Sequence, residues 1–237
     1  MTSLSFGLWV QQNGSSENAR KEKISDLIRG YQAPPIHQLP SAGGTPFLEG
    51  NELRSLREYY DFRTHGGRPL EETPVGRILV KSHWFLAVPA LPVDQSDAVV
   101  LGTMVENQAY LTESGSAIFT VYHVQLESIF TSLRELPPGD RVTVTREGGS
   151  IQLKNGKVLD FRVDGQGYPR SGEQYLLFLD RIPGIASYRL LDGYCTSGDW
   201  VVPFDERPNH DYAGTKTETL LKIVRGAYPQ RSWKRLP

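Results

Sequence analysis

The chain of 237 residues is short of several things that would point to a particular chemistry. It has one cysteine, Cys195, so an intramolecular disulfide and any multi-cysteine metal site are excluded. It has almost no net charge: 26 Lys and Arg against 27 Asp and Glu leave −1, so no overall field draws it to nucleic acid or an anionic membrane. No apolar run reaches the roughly 18 residues that cross a bilayer. Apolar residues make up 38%, below the globular norm, so part of the chain is expected outside a core. The start, MTSLSFGLWVQQNGSS, has no basic residue, and Ser5 and Gly7 break its apolar patch, which makes a poor signal peptide. Two localisations follow: outside the cytoplasm if a true start lies upstream and carries an export signal, and cytoplasmic otherwise.

What is present divides into three stretches. Residues 1–93 form a polar arm with short helices. Ser16 to Arg29 reads as a helix stopped by Gly30, with Ile24, Leu27 and Ile28 on one face. The Pro- and Gly-rich stretch from Gln32 to Gly50 reads as a linker. Asn51 caps a predicted helix to about His65, with Leu53, Leu56 and Tyr60 aligned, and Ile78 to Val88 reads as extended.

Residues 94–205 are dense in strand signals. Asp97–Glu106 is β-branched around Gly102, whose presence suits a bulge or barrel corner. Ala117–Phe130 puts Ile118, Thr120, Tyr122, Val124 and Leu126 on one face and Phe119, Val121, His123 and Gln125 on the other. Arg141–Glu147 alternates cleanly, and Gly148–Ser150 reads as a turn. Asn155-Gly156 predicts a two-residue type I′ hairpin. Gln174–Leu179 is apolar on both faces and so central. Ser187–Tyr194 and Asp199–Phe204 complete the set. Such strands predict a mainly β fold, a small closed or partly closed OB/netrin-like β-barrel, because closure is the simplest treatment of apolar edges. Residues 206–237 add a helix capped by Thr215 or Thr217, striped by Leu220, Leu221 and Val224 and ended by Gly226, then a basic tail.

The stretch VDGQGYPRSGEQYLLFL (Val163–Leu179) carries Gly165, Gly167 and Gly172 and has a superficial likeness to a phosphate loop. The third glycine comes too late for GxGxxG, and a strand follows where a helix N-terminus is required. The glycines read as a connection between two strands.

Segments DAVVLGTMVE, VYHVQLESIF, RVTVTREGGSI, GYPRSGEQYLLFL and RLLDGY together resemble a group of bacterial proteins that are usually exported. Their order also resembles netrin-like modules and tissue inhibitors of metalloproteinases, which are OB-type barrels. The likeness covers about residues 95–205. It implies a fold and a location outside the cytoplasm. The inhibitors rely on an N-terminal cysteine and several disulfides, which this chain lacks, so their mechanism does not carry over.

No catalytic constellation stands out. His37, His65, His83, His123 and His210 show no metal spacing, and there is no HExxH or GxSxG. No cofactor motif is present. Cys195 and His123 are the residues a hydrolase of unfamiliar type would use, but a reactive cysteine needs a cation, histidine or helix N-terminus, and none is evident beside Cys195. Nucleic-acid binding has two candidate sources. One is Arg146, Lys154, Lys157 and Arg162 near Phe161, yet residues 97–205 hold nine Lys/Arg against fourteen Asp/Glu, a balance of −5 that repels phosphate. The other is the tail from Lys216, with six Lys/Arg and one acid, plus Tyr228 and Trp233. The leading reading is a noncatalytic module for a protein or peptide. The ligand would meet the loops Glu113–Ser116, Asp164–Gly172 and Asp192–Gly198 or an uncovered strand edge. Its candidate binding residues are Tyr168, Arg170, Tyr194, Arg146 and Arg162.

Overall fold

A computed structural model describes residues 5–38, 47–48, 50–63, 77–82, 88–133, 136, 140–206, 211–227 and 234–235. Its elements in chain order are α1 (Ser5–Tyr31), β1 (Ile36–Gln38), α2 (Gly50–Arg63), β2 (Arg77–Ser82), β3 (Ala98–Leu111), β4 (Ile118–Ser132), β5 (Arg141–Glu147), β6 (Gly149–Gln152), β7 (Val158–Val163), β8 (Gln174–Arg181), β9 (Tyr188–Cys195), β10 (Val202–Pro203), α3 (Thr217–Ala227) and β11 (Lys234–Arg235).

Five strands pair in a ring, β3–β4–β5–β9–β8 and back to β3. Every pairing in the ring is antiparallel except β5 with β9, where only Val144↔Tyr188 and Thr145↔Arg189 meet in parallel. Numbered within the ring, the order is 1-2-3-5-4-1, the Greek-key order of an OB barrel. The two-residue β5–β9 seam makes the closure partial. β3 carries three register shifts against β4, one of them at Leu101/Gly102, where the expected corner falls. A Cβ on Gly102 would lie 2.5 Å from the Gln125 carbonyl oxygen, so the strands approach there as only glycine allows.

The alternation of β4 sorts the layers as the sequence pattern implies. Tyr122, Val124 and Leu126 join Val100, Met104, Val142, Val144, Leu177, Leu179 and Leu190 in the barrel interior. Phe119 and Val121 face outward under α2. A third layer lies outside β3, β8 and β9, where Val99, Phe130, Leu176, Phe178 and Tyr194 pack against Leu220 and Val224 of α3.

The arm is more structured than its composition implies. α1 begins at Ser5, eleven residues before the expected Ser16, and ends at Tyr31, one residue past the expected stop at Gly30. A Cβ there would lie 2.7 Å from the Arg170 guanidinium, so this glycine makes room for an arginine. Ile24 and Tyr31 of α1 reach the barrel core. β1 and β2 add in parallel to either side of the β6–β7 hairpin. That hairpin is wider than the expected two-residue turn. The Leu153 N–H donates to the Lys157 carbonyl at 2.8 Å, leaving a three-residue loop with Gly156 at φ 81°. β6 begins at Gly149, so the expected Gly148–Ser150 turn shrinks to a kink at Gly148. His65 and residues 83–87, included in two expected elements, lie outside the described residues.

Candidate functional site

In OB barrels the ligand surface is the outer face of strands 2 and 3, flanked by the loops joining strands 1–2 and 4–5. Here those are β4 and β5 with loops 112–117 and 182–187. The surface is occupied by α2. Leu56 and Tyr60 are 0% and 1% exposed, and they sit with Leu48, Phe47, Leu53 and Tyr59 against Tyr110, Phe119, Val121 and Ile182. The Tyr60 ring stacks on Phe119 at 4.7 Å and 10°, and Tyr110 stacks on the same ring at 5.7 Å. The Tyr60 hydroxyl lies 2.9 Å from Thr145 Oγ1 on β5. Phe47 stacks on His123 at 4.2 Å, and His123 Nδ1 lies 3.0 Å from Glu106.

Both ends of α2 are pinned to the flanking loops. Ser187 donates to Glu52 Oε1 at 2.6 Å, in the 182–187 loop. At the other end Asp61 accepts the Ser114 amide at 3.0 Å and its hydroxyl at 2.5 Å, in the 112–117 loop. At 1.5 Å rise per residue, Glu52 and Asp61 are about 14 Å apart along the helix. The helix therefore bridges the two loops across the face. A fully buried side chain of Leu size contributes about 1.5–3 kcal/mol, so the two full anchors among the described side chains, with Leu53 and Tyr59 partly buried, hold α2 less firmly than the shared core holds the barrel strands.

The electrostatics of the pins follow from this geometry. Burial pushes the Asp61 carboxyl up, and hydrogen bonds from Ser114, with smaller ones from Thr112 and Glu113, more than reverse this and leave it below its ordinary value. A depressed carboxylate contributes stability above its unfolded pKa and loses it as pH falls through the folded one. Acid titration is therefore expected to loosen the C-terminal end of α2 only at the bottom of the carboxylate range. Asp61→Asn is expected to loosen it at neutral pH as well. Hydrogen exchange of residues 58–63 against pH reads both. Burial also pushes the Tyr110 hydroxyl up to about 12, against smaller opposing effects of the Leu48 backbone and Arg57.

The residues singled out from the sequence are dispersed. Tyr168 is 1% exposed; its amide donates to the Tyr31 carbonyl at 2.8 Å and its hydroxyl reaches the Phe161 carbonyl at 3.4 Å. Arg170 is exposed, with its guanidinium 5.1 Å from the centre of the Tyr31 ring. Tyr194 is buried on the α3 side and donates to the Ala90 carbonyl at 2.5 Å. Arg146 lies inside the barrel, 2% exposed, with Nη2 2.6 Å from both carboxylate oxygens of Asp205. Arg162 pairs with the buried Asp160 at 2.8 Å on the outer hairpin. Tyr168 and Arg170 both touch Tyr31 at the barrel mouth, and the Arg146 and Arg162 charges act on the Tyr168 hydroxyl.

That mouth holds a second polar cluster. Glu173 Oε2 accepts the hydroxyls of Tyr31 and Tyr175 at 2.6 Å each, and the Cys195 thiol lies 3.7 Å away. Burial, followed by the neighbouring Tyr175 and the hydrogen bonds to Cys195 and Glu173, raises the Tyr31 hydroxyl far above its ordinary range. Cys195 thus meets a carboxylate and a phenol hydroxyl, and neither is the histidine or cation that activates a thiol. The glycines of VDGQGYPRSG connect β7 to β8, as read from the sequence. Gly165 and Gly172 turn the chain at φ 69° and 84°, and Gly167 donates its amide to Asp205 at 2.8 Å. The basic tail is partly in the sheet, with Lys234 and Arg235 opposite Ile129 and Ser128 of β4. Among the described residues no three His, Cys, Asp or Glu side chains converge as a metal site. Among them, too, no helix is long and apolar enough to cross a membrane.

No family model matches this chain, and no curated protein matches it.

Sequence reasoning aligned Leu53, Leu56 and Tyr60 on one helix and Phe119, Val121 and His123 on one strand face, but it did not bring the two together. The available signal was that an outward strand face carried Phe and Val, which solvent does not favour.

Proposed function

We propose that this protein is a noncatalytic protein- or peptide-binding module whose ligand surface is the outer face of β4 and β5. The observation that carries the reading is the seating of α2. A helix lies across the OB ligand position, held by the buried Leu56 and Tyr60, by the Tyr60–Thr145 hydrogen bond and by hydrogen bonds at each end. The surface accommodates a peptide helix because the chain places one there. The likeness of residues 95–205 to netrin-like modules supports an OB-type binding role, as fold analogy. The loops Asp164–Gly172 and Asp192–Gly198 are less suited to contact a ligand, since Tyr168 and Tyr194 are buried among the chain's own residues.

Peptide display tests this on the full chain carrying Leu56→Glu, which removes the central anchor. Enriched sequences are expected to be helical, with an aliphatic and an aromatic residue four apart. Enrichment is expected to disappear when Val121→Glu is added. A panel with no enrichment, or enrichment indifferent to Val121→Glu, contradicts the reading.

A further inference from the structure

Resting on that reading, we infer that α2 is a tethered self-ligand that masks the β4–β5 face, and that the outside partner is an amphipathic helix with an acidic residue near each end. The partner's chemistry is read from the contacts α2 makes. The face offers an aromatic floor, Phe119 with Tyr110 beside it, which takes a ring at 4.7 Å, and it adds Val121 and Ile182 to the same buried apolar cluster as Leu56. Leu56 and Tyr60 stand four residues apart, one helical turn, so a competing helix needs an aliphatic–x3–aromatic pair. At either end the face presents donors: the Ser187 hydroxyl, and the Ser114 amide with its hydroxyl. Such donors select carboxylates held by hydrogen bonds, which match Glu52 and Asp61 in α2. Thr145 Oγ1 adds a polar contact for a phenol.

Three features make α2 a mask rather than a permanent layer. Among the described side chains of the helix, Leu56 and Tyr60 are the fully buried ones, with Leu53 and Tyr59 partly buried beside them. Its pins are hydrogen bonds at exposed or half-buried positions, which water replaces readily. The described strands on either side of it, β1 and β2, pair with β6 and β7 and not with a strand of the ring, so α2 leaves the face without breaking a ring pairing. A bound occupant inside the same chain reduces apparent affinity by the fraction of time the face is open. A nucleic acid is the poorer occupant, because the barrel is acidic and the donors number only a few.

The test uses a fluorescent peptide of residues 47–63 added in trans to the full-length chain, followed by anisotropy. Wild type is compared with two released variants, Leu56→Glu and the double variant Tyr60→Ala/Asp61→Ala, each checked for an unchanged barrel by circular dichroism. A locked variant carries Asp61→Cys and Ser114→Cys in a Cys195→Ser background. Released variants are expected to bind at least tenfold more tightly than wild type. The oxidised lock is expected not to bind, and reduction to restore the wild-type value. A peptide with both acids amidated, E52Q and D61N, is expected to bind several-fold more weakly. Equal binding by wild type and released variants keeps the peptide-binding face but overturns the mask. Equal binding of the amidated peptide overturns the acidic-end requirement. Folded released variants that bind no peptide, or bind a single-stranded oligonucleotide in its place, overturn the binding face itself and the mask with it.

Discussion

Asp205→Ala lowers the stability of the folded chain by about 3–5 kcal/mol, the loss that follows when one partner of a buried ion pair is removed. Arg146 and Asp205 are 2% and 0% exposed, so the guanidinium left behind has no water to turn to. Asp205 also accepts the Gly167 amide, so the substitution orphans a second donor. The pair is itself incompletely satisfied, because Nε and Nη1 of Arg146 have no hydrogen-bond partner among the described residues. Phe204 offers its ring face to the same guanidinium, 4.9 Å away, as partial compensation. The double replacement Arg146→Met/Asp205→Leu is therefore expected to recover most of the loss. Chemical denaturation of the three proteins measures it. A single variant within about 1 kcal/mol of wild type contradicts the assignment of this pair to the barrel interior.

Gly167→Ala is expected to be at least as damaging, through sterics. A Cβ at this position would lie 1.7 Å from the Phe204 carbonyl oxygen and 2.6 Å from its carbon. Both are backbone atoms, so no rotamer relieves the overlap, and the 164–173 connection has to retreat from β10. Retreat breaks the Gly167 to Asp205 bond and the bond from the Tyr168 amide to Tyr31, which ties α1 to the barrel mouth. A loss above about 3 kcal/mol, the upper range for overpacking, is expected, with α1 released before the barrel melts. Gly156→Ala is the control, since nothing lies within 4 Å of its Cβ and only its φ of 81° resists the change. Equal losses in the two variants contradict the close approach.

The strands were legible because alternation fixes a face residue by residue. β5 matches Arg141–Glu147 as read, and β4 sorts its two faces as read. β3 runs five residues beyond the expected Glu106, because Glu106, Asn107 and Gln108 are polar and disguise a strand that projects past the barrel. Arg146 shows where composition misleads. Val142, Val144 and Arg146 share a parity, which places the arginine inside, whereas its charge suggested a surface groove. Its partner is 59 residues away in sequence, and no local pattern links them. The same holds for α2. Its stripe and the β4 face were each visible, but a contact between residues 60 and 119 is a tertiary fact that no local pattern fixes. The OB order depends on the short parallel contact of β5 with β9, which connection lengths alone do not specify.

The claim that α2 is a separable occupant of the β4–β5 face is tested most directly by native-state hydrogen exchange on the unmodified chain in low denaturant. Amides of residues 54–63 are expected to exchange through a local opening that depends little on denaturant, while those of Val121, Val124 and Val144 wait for global unfolding. If α2 exchanges only with the barrel, at the same free energy and the same denaturant dependence, it is part of the core and the β4–β5 face is not a ligand surface.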